Sequence, residues 1–117
     1  MRLIIVEDEA LVAMMLEDML ADLGCVVVGA AADVSHGLAL VEENQLDAAV
    51  LDVNLGGEKV YPVAERLRAR RVPFIFSTGY GLRGIATQFA RIPTLAKPYG
   101  PPALEAMLCL ALAAAGS

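Results

Sequence analysis

Four places in the 117-residue sequence gather groups that do chemistry in combination. They are the acidic run Glu7-Asp8-Glu9, the lone carboxylate of Asp52, the hydroxyl pair Ser77-Thr78 and the ammonium of Lys97. Each follows a short apolar run, so each is set at the end of a candidate strand. Asp52 follows Ala48-Ala49-Val50-Leu51 and has no local cation. Carboxylates packed together repel, and burial favours their neutral forms. A hard divalent cation among them resolves the conflict. An all-oxygen donor set of this size suits Mg²⁺, which takes one or two carboxylates with waters and a phosphate. A carboxylate beside that cation can attack a phosphoryl group and become an aspartyl phosphate. An ammonium and a hydroxyl then serve the phosphoryl oxygens.

The elements that must position these groups alternate along the chain. Strands are expected at Leu3–Val6, Cys25–Ala30, Ala48–Leu51, Phe74–Phe76 and Thr94–Ala96. Most are continuous apolar runs, the pattern of strands covered on both faces. The first helix carries Leu11, Val12, Met15, Leu16, Met19, Leu20 and Leu23 on one stripe and stops at Gly24. The second has Asp33 or Ser35 as its cap, Leu38 and Val41 as core residues, and Gly37 as a weak point. The third places Val60, Val63, Ala64 and Leu67 on one face, with Pro62 in its first turn. Arg66, Arg68, Arg70 and Arg71 crowd its end. They read as a solvated face complementing the helix dipole or as a docking patch for an acidic partner. The last helix starts near Pro101-Pro102 and runs to about Ala115.

Alternation of this kind predicts an α/β fold: a doubly wound, five-stranded parallel sheet of flavodoxin-like order 2-1-3-4-5. In such sheets ligands bind beyond the carboxyl ends of the strands, where the order reverses, here between strands 1 and 3. Glu7-Asp8-Glu9 and Asp52 flank that point, with Ser77-Thr78 and Lys97 on the next two strands. Taken alone, Asp8 also reads as the cap of helix 1, Thr78 as a turn hydroxyl and Lys97 as a surface lysine.

In this order and on these strand ends, Val6-Glu7-Asp8-Glu9, Leu51-Asp52-Val53-Asn54, Phe76-Ser77-Thr78-Gly79 and Lys97-Pro98 resemble the receiver domain of two-component response regulators. Asp52 to Glu58 and Pro73 to Gly81 resemble, more narrowly, the FAT GUY subgroup of single-domain receivers, with Ser77 in place of its alanine. The resemblance implies that Asp52 is the phosphoacceptor. It implies that Asp8 holds Mg²⁺ directly, Glu7 through water and Asn54 through its backbone carbonyl. Thr78 becomes the switch hydroxyl, Lys97 the phosphate-binding ammonium ahead of a cis Lys97–Pro98 bond, and Tyr80 the switch aromatic. It further implies a histidine kinase or histidine phosphotransfer protein as phosphodonor, docking near helix 1, and output by protein contact or as a phosphate sink. On this reading the only catalysis is the domain's own phosphorylation and dephosphorylation. The chain departs from the family where Leu55-Gly56-Gly57 replaces the usual proline and where Thr94 replaces an aromatic. Glycines and Pro93 break the segment from Thr78 to Lys97, so a short or missing fourth helix is expected.

Composition narrows the function classes. Hydrophobic residues make up 57%, which excludes a disordered regulator. Nine Lys and Arg against fourteen Asp and Glu give a net charge of −5, poorly suited to neutralising phosphates, so no nucleic-acid partner is expected. No apolar stretch reaches the length of a membrane span and no signal segment is visible, which predicts a cytoplasmic protein without a membrane partner. Cys25 and Cys109 sit in apolar runs and read as buried thiols. The residues after Lys97 are consumed by the last helix, so one receiver unit over 1–117 and no output domain is expected. Leu104, Met107, Leu108, Leu110, Ala111 and Leu112 give that helix a wide apolar arc, a candidate surface for a homodimer or another partner.

Two other functions share parts of the pattern. A Mg²⁺-dependent phosphatase of the haloacid dehalogenase kind also uses an aspartate after a strand, a hydroxyl and a lysine. It wants a second aspartate where Asn54 stands, and its acidic metal pair comes late in the chain. A receiver that works without phosphate would not need Asp8, Asp52, Thr78 and Lys97 together. A dinucleotide fold lacks its glycine-rich turn after strand 1.

Overall fold

A computed structural model describes residues 1–79 and 85–115. Its main sheet contains β1 (Arg2–Val6), β2 (Val26–Ala31), β3 (Ala48–Asp52), β6 (Phe74–Thr78) and β7 (Thr94–Ala96). All four pairings are parallel, in the order β2-β1-β3-β6-β7. This is the expected flavodoxin-like topology. Side-chain alternation divides the core in two. Ile4, Val6, Ala49, Leu51, Phe74 and Phe76 face α2 (Val34–Glu43) and α3 (Tyr61–Ala69). Leu3, Ile5, Val50 and Ile75 face α1 (Ala10–Asp22) and α4 (Pro101–Ala115).

Local chemistry explains the helix boundaries. Asp33, not Ser35, caps α2: its Oδ1 accepts from the His36 amide at 2.7 Å. Gly37 is buried because α2 is pressed against its neighbours; a Cβ there would lie 3.1 Å from Val63 Cγ2 and 3.3 Å from Val6 Cγ2. α1 ends on Gly24 at φ +83°, with the Cys25 amide donating to the Leu20 carbonyl. α3 ends on the same turn, the Val72 amide donating to the Leu67 carbonyl, but Arg71 holds the left-handed position at φ +59°.

Two expectations need correction, and one element was not expected. Only Leu16 and Leu20 of the α1 stripe are buried, while Leu11 and Met15 are more than half exposed. The helix lies on one side of a sheet that α4 also covers, so Leu16 and Leu20 are enclosed, while Ala13, Met19 and Leu23 are only partly buried against the same core. Cys109 is exposed and Cys25 half-buried, both as free thiols, rather than buried. An unforeseen hairpin, β4 (Asn54–Leu55) with β5 (Glu58–Lys59), follows β3. Gly56 and Gly57 turn it at φ +62° and +95°, the signature of a two-residue turn that needs left-handed backbone twice. Glu58 then accepts from the Val34 amide at 3.2 Å and ties the hairpin to the start of α2.

Between β6 and β7 the described residues hold one 3₁₀ turn, Thr87–Phe89, in agreement with a short or missing helix there. Phe89 is fully buried among Phe74, Phe76 and Tyr61, stacked on the last at 5.3 Å. The tyrosine hydroxyl accepts from the Ala86 amide at 2.8 Å. Tyr61 and Phe89 are therefore packing residues. Among the described residues no helix is long and apolar enough to cross a membrane.

Candidate functional site

The sheet brings the expected groups to one edge. Glu7 follows β1 directly, and its amide donates to the Ala31 carbonyl of β2 at 2.8 Å. Asp52 closes β3 opposite Ser77 of β6, and Thr78 lies opposite Ala96 of β7. The Lys97 amide donates to the Thr78 carbonyl at 2.9 Å, which continues the β6–β7 ladder and carries the lysine back toward the centre. The Lys97–Pro98 bond is cis, as the resemblance implied.

Lys97 Nζ donates to Glu7 Oε1 at 2.7 Å and to Asp52 Oδ2 at 3.2 Å. Glu7 and Asp52 are both buried. Partial burial alone would lower the pKa of Lys97. Its hydrogen bond to Glu7 and the charges of Asp52 and Glu7 outweigh that effect and hold it above the ordinary lysine range. The lysine is thus a fixed cation at any physiological pH.

Carboxylate oxygens of Glu7, Asp8 and Asp52 all lie within 4.8 Å of one another. Asp8 is the exposed member, and Asp8 does not cap α1: Glu9 occupies the cap position and makes no side-chain cap bond. Its carboxylate is available to a ligand. Two backbone amides orient the other two, Glu9 N on Glu7 Oε2 at 3.2 Å and Asn54 N on Asp52 Oδ1 at 3.3 Å. Hard oxygen donors on a rigid sheet edge fit Mg²⁺. A cavity of about 410 Å³ opens here, lined by Asp8, Asp52, Asn54, Thr78 and Lys97 among others.

The hairpin adds a wall that sequence reading missed. Gly56 lines the cavity, and a Cβ on it would lie 3.6 Å from Asp8 Oδ2. Asn54 Oδ1 accepts from the Gly57 amide at 3.1 Å, so this side chain holds the turn. The glycine pair two residues after Asn54 was the available signal. The place of Tyr99 beside the cluster was also missed. Burial pushes the Tyr99 phenol above its ordinary range; the charge of Lys97 and a hydrogen bond from buried Ser77 oppose this, and Glu7 and Asp52 add to it. Tyr99 is therefore a neutral neighbour of the charged cluster as well as a packing residue. Tyr80 lies outside the described residues.

A parallel 2-1-3 core thus carries an acid cluster, a hydroxyl and a lysine together on its carboxyl edge. Residues 3–108 match the response regulator receiver domain, and the chain belongs to that family. It is 32% identical over 114 residues to the phyllosphere-induced regulator PhyR of Methylorubrum extorquens, covering 94% of this chain and 43% of PhyR. It is 46% identical to SdrG from Sphingomonas melonis Fr1, whose solution structure superposes with a TM-score of 0.83 over 99% of this chain and 96% of that one. The receiver domain of the sensor histidine kinase PA1611 of Pseudomonas aeruginosa, with magnesium coordinated in its active site cleft, is 28% identical, with a TM-score of 0.81 over 96% of this chain and 97% of that one. The chain spans about half the length of the curated relatives it matches. Membership of that family sets aside the haloacid dehalogenase reading: residues 3–108 are a receiver domain of two-component signalling.

Proposed function

We propose that this receiver takes a phosphoryl group onto Asp52 from a phosphohistidine of a kinase or phosphotransfer protein. The convergence of three carboxylates within 4.8 Å, with Lys97 bridging the two buried ones, carries the reading. Glu7, Asp8, Asp52 and the Asn54 carbonyl are the residues to hold Mg²⁺. When bound, the cation supplies positive charge for the phosphoryl oxygens. An oxygen of the Asp52 carboxylate attacks phosphorus, an acyl–phosphate bond forms, and the phosphorus–nitrogen bond to the donor histidine breaks. Its electron pair stays on the imidazole nitrogen. Lys97, freed from full pairing with Asp52, binds one phosphoryl oxygen. Thr78 lines the same cavity and donates its hydroxyl to another.

Leu11, Met14 and Met15 are exposed at the start of α1, adjoining Glu9 on the cavity rim. This apolar patch is the docking face for the phosphodonor. The phosphorylated domain acts by contact with a protein partner or as a phosphate sink, in the cytoplasm. Leu110, exposed on α4, marks a second contact face for a partner or a second copy.

Incubation with acetyl phosphate and Mg²⁺ tests the chemistry. The protein should gain one phosphoryl mass, stable to acid and lost in base, and Asp52→Ala should gain none. Full-yield labelling of the Asp52→Ala variant would overturn the assignment.

A further inference from the structure

A groove of about 520 Å³ opens at the amino-terminal ends of β6 and β7, on the opposite edge of the sheet from Asp52. Val72, Phe74 and Ile92 contribute to an apolar floor, and Arg68, Arg71 and Arg91 stand around it. In a chain of net charge −5 with nine cations, three of them surround one apolar trough.

The nearby arginines are not equivalent. Arg66 and Arg70 are ion-paired with Glu42, and Arg70 also donates to the Val41 carbonyl. Arg68 donates to the Gln88 carbonyl and lies over the Phe89 ring, 4.5 Å from its centroid. Arg71 and Arg91 are exposed and make no side-chain hydrogen bond or ion pair among the described residues. Arg71 stands in the left-handed position that closes α3. At the same turn of α1 that position is Gly24, where no strain arises. A left-handed arginine without a side-chain partner among the described residues, on the lip of an apolar trough, is an observation that helix capping does not explain, since glycine caps better.

We propose that this groove docks an acidic segment of a partner protein. An apolar side chain of the segment fills the trough, and carboxylates beside it pair with Arg71 and Arg91. The apolar floor selects a peptide over a nucleic acid, which would meet few cations on a net-negative chain. Phosphorylation and docking use opposite ends of the strands, so the partner can be held whether or not Asp52 is occupied.

The test is amide chemical-shift mapping on the whole chain. The probes are a short acetylated peptide alternating Leu with Glu, its Leu–Lys counterpart, inorganic phosphate and a single-stranded oligonucleotide. The Leu–Glu peptide should shift Val72, Phe74, Ile92 and Ala114 saturably. The double variant R71E/R91E should weaken it about tenfold, and R91Q, which leaves the α3 turn untouched, should weaken it less. The Leu–Lys peptide should shift none of these amides. No shifts with the Leu–Glu peptide at millimolar concentration, or undiminished shifts in the variants, would overturn the proposal. So would equal shifts with inorganic phosphate, stronger ones with the oligonucleotide, or shifts on raising the protein concentration alone, which would mark a bare anion site, a nucleic-acid site or a second copy.

Discussion

Glu7 and Asp52 are two buried anions that share the ammonium of Lys97. Removing the partner of a buried charge costs more than the pair contributes, about 3–5 kcal/mol, because the remaining charge is left uncompensated. Lys97→Met, which keeps the stem and deletes the charge, should therefore lower unfolding free energy by about 3 kcal/mol in chelator. Added Mg²⁺ should restore part of the loss, since the cation neutralises the same carboxylates. Urea unfolding with and without Mg²⁺ measures both, and equal losses in the two conditions would count against a shared site. Asp8 is different in kind. It is exposed and caps nothing, and its charge repels Glu7 and Asp52, so Asp8→Asn should raise metal-free stability slightly while abolishing the response to Mg²⁺.

At the scale of elements, α1 and α3 use one turn with two different residues. Arg71→Gly should stabilise the protein by about 1 kcal/mol, because glycine takes the left-handed position without steric cost. Gly24→Ala should destabilise it by a similar amount, although a Cβ there meets nothing within 4 Å. The comparison separates backbone strain from packing; a stability loss in Arg71→Gly would show that the side chain itself holds the end of α3. Gly37 sets the opposite balance. Alanine would gain helix propensity, yet its Cβ would crowd Val63 and Val6 at 3.1 and 3.3 Å. Overpacking between two fixed elements outweighs propensity, and Gly37→Ala should cost about 1 kcal/mol net by chemical denaturation.

For the molecule as a whole, Mg²⁺ should act as a folding ligand. At ~100 times its dissociation constant it adds about 2.7 kcal/mol to the folded state. For a domain of this size that raises Tm by several degrees. Thermal melts at constant ionic strength should show this rise with Mg²⁺ and lose it in Asp8→Asn. A melting curve indifferent to millimolar Mg²⁺ would contradict the site.

The chemistry of the carboxyl edge is legible in the amino-acid sequence by itself. Short apolar runs end in Glu7, Asp52, Thr78 and Lys97, and alternation with helices makes the strands parallel; the order 2-1-3 followed by the last two is the flavodoxin-like choice that the chain length favours, and the sheet has it. These properties are local or topological: they depend on residue period and on what stands at the end of a run. Helix period shows which side chains share a face, but not how far the neighbouring layer extends, so Leu11 and Met15 read as core and are exposed. The Gly56-Gly57 turn is visible as a glycine pair, yet its place against Asp8 depends on where β1 and β3 lie in space. The left-handed backbone of Arg71 has no sequence signal, because the turn that demands it is closed by packing of α3 on the sheet. The groove beside it joins residues from α3, β6, β7 and α4 that are adjacent only after the sheet has assembled.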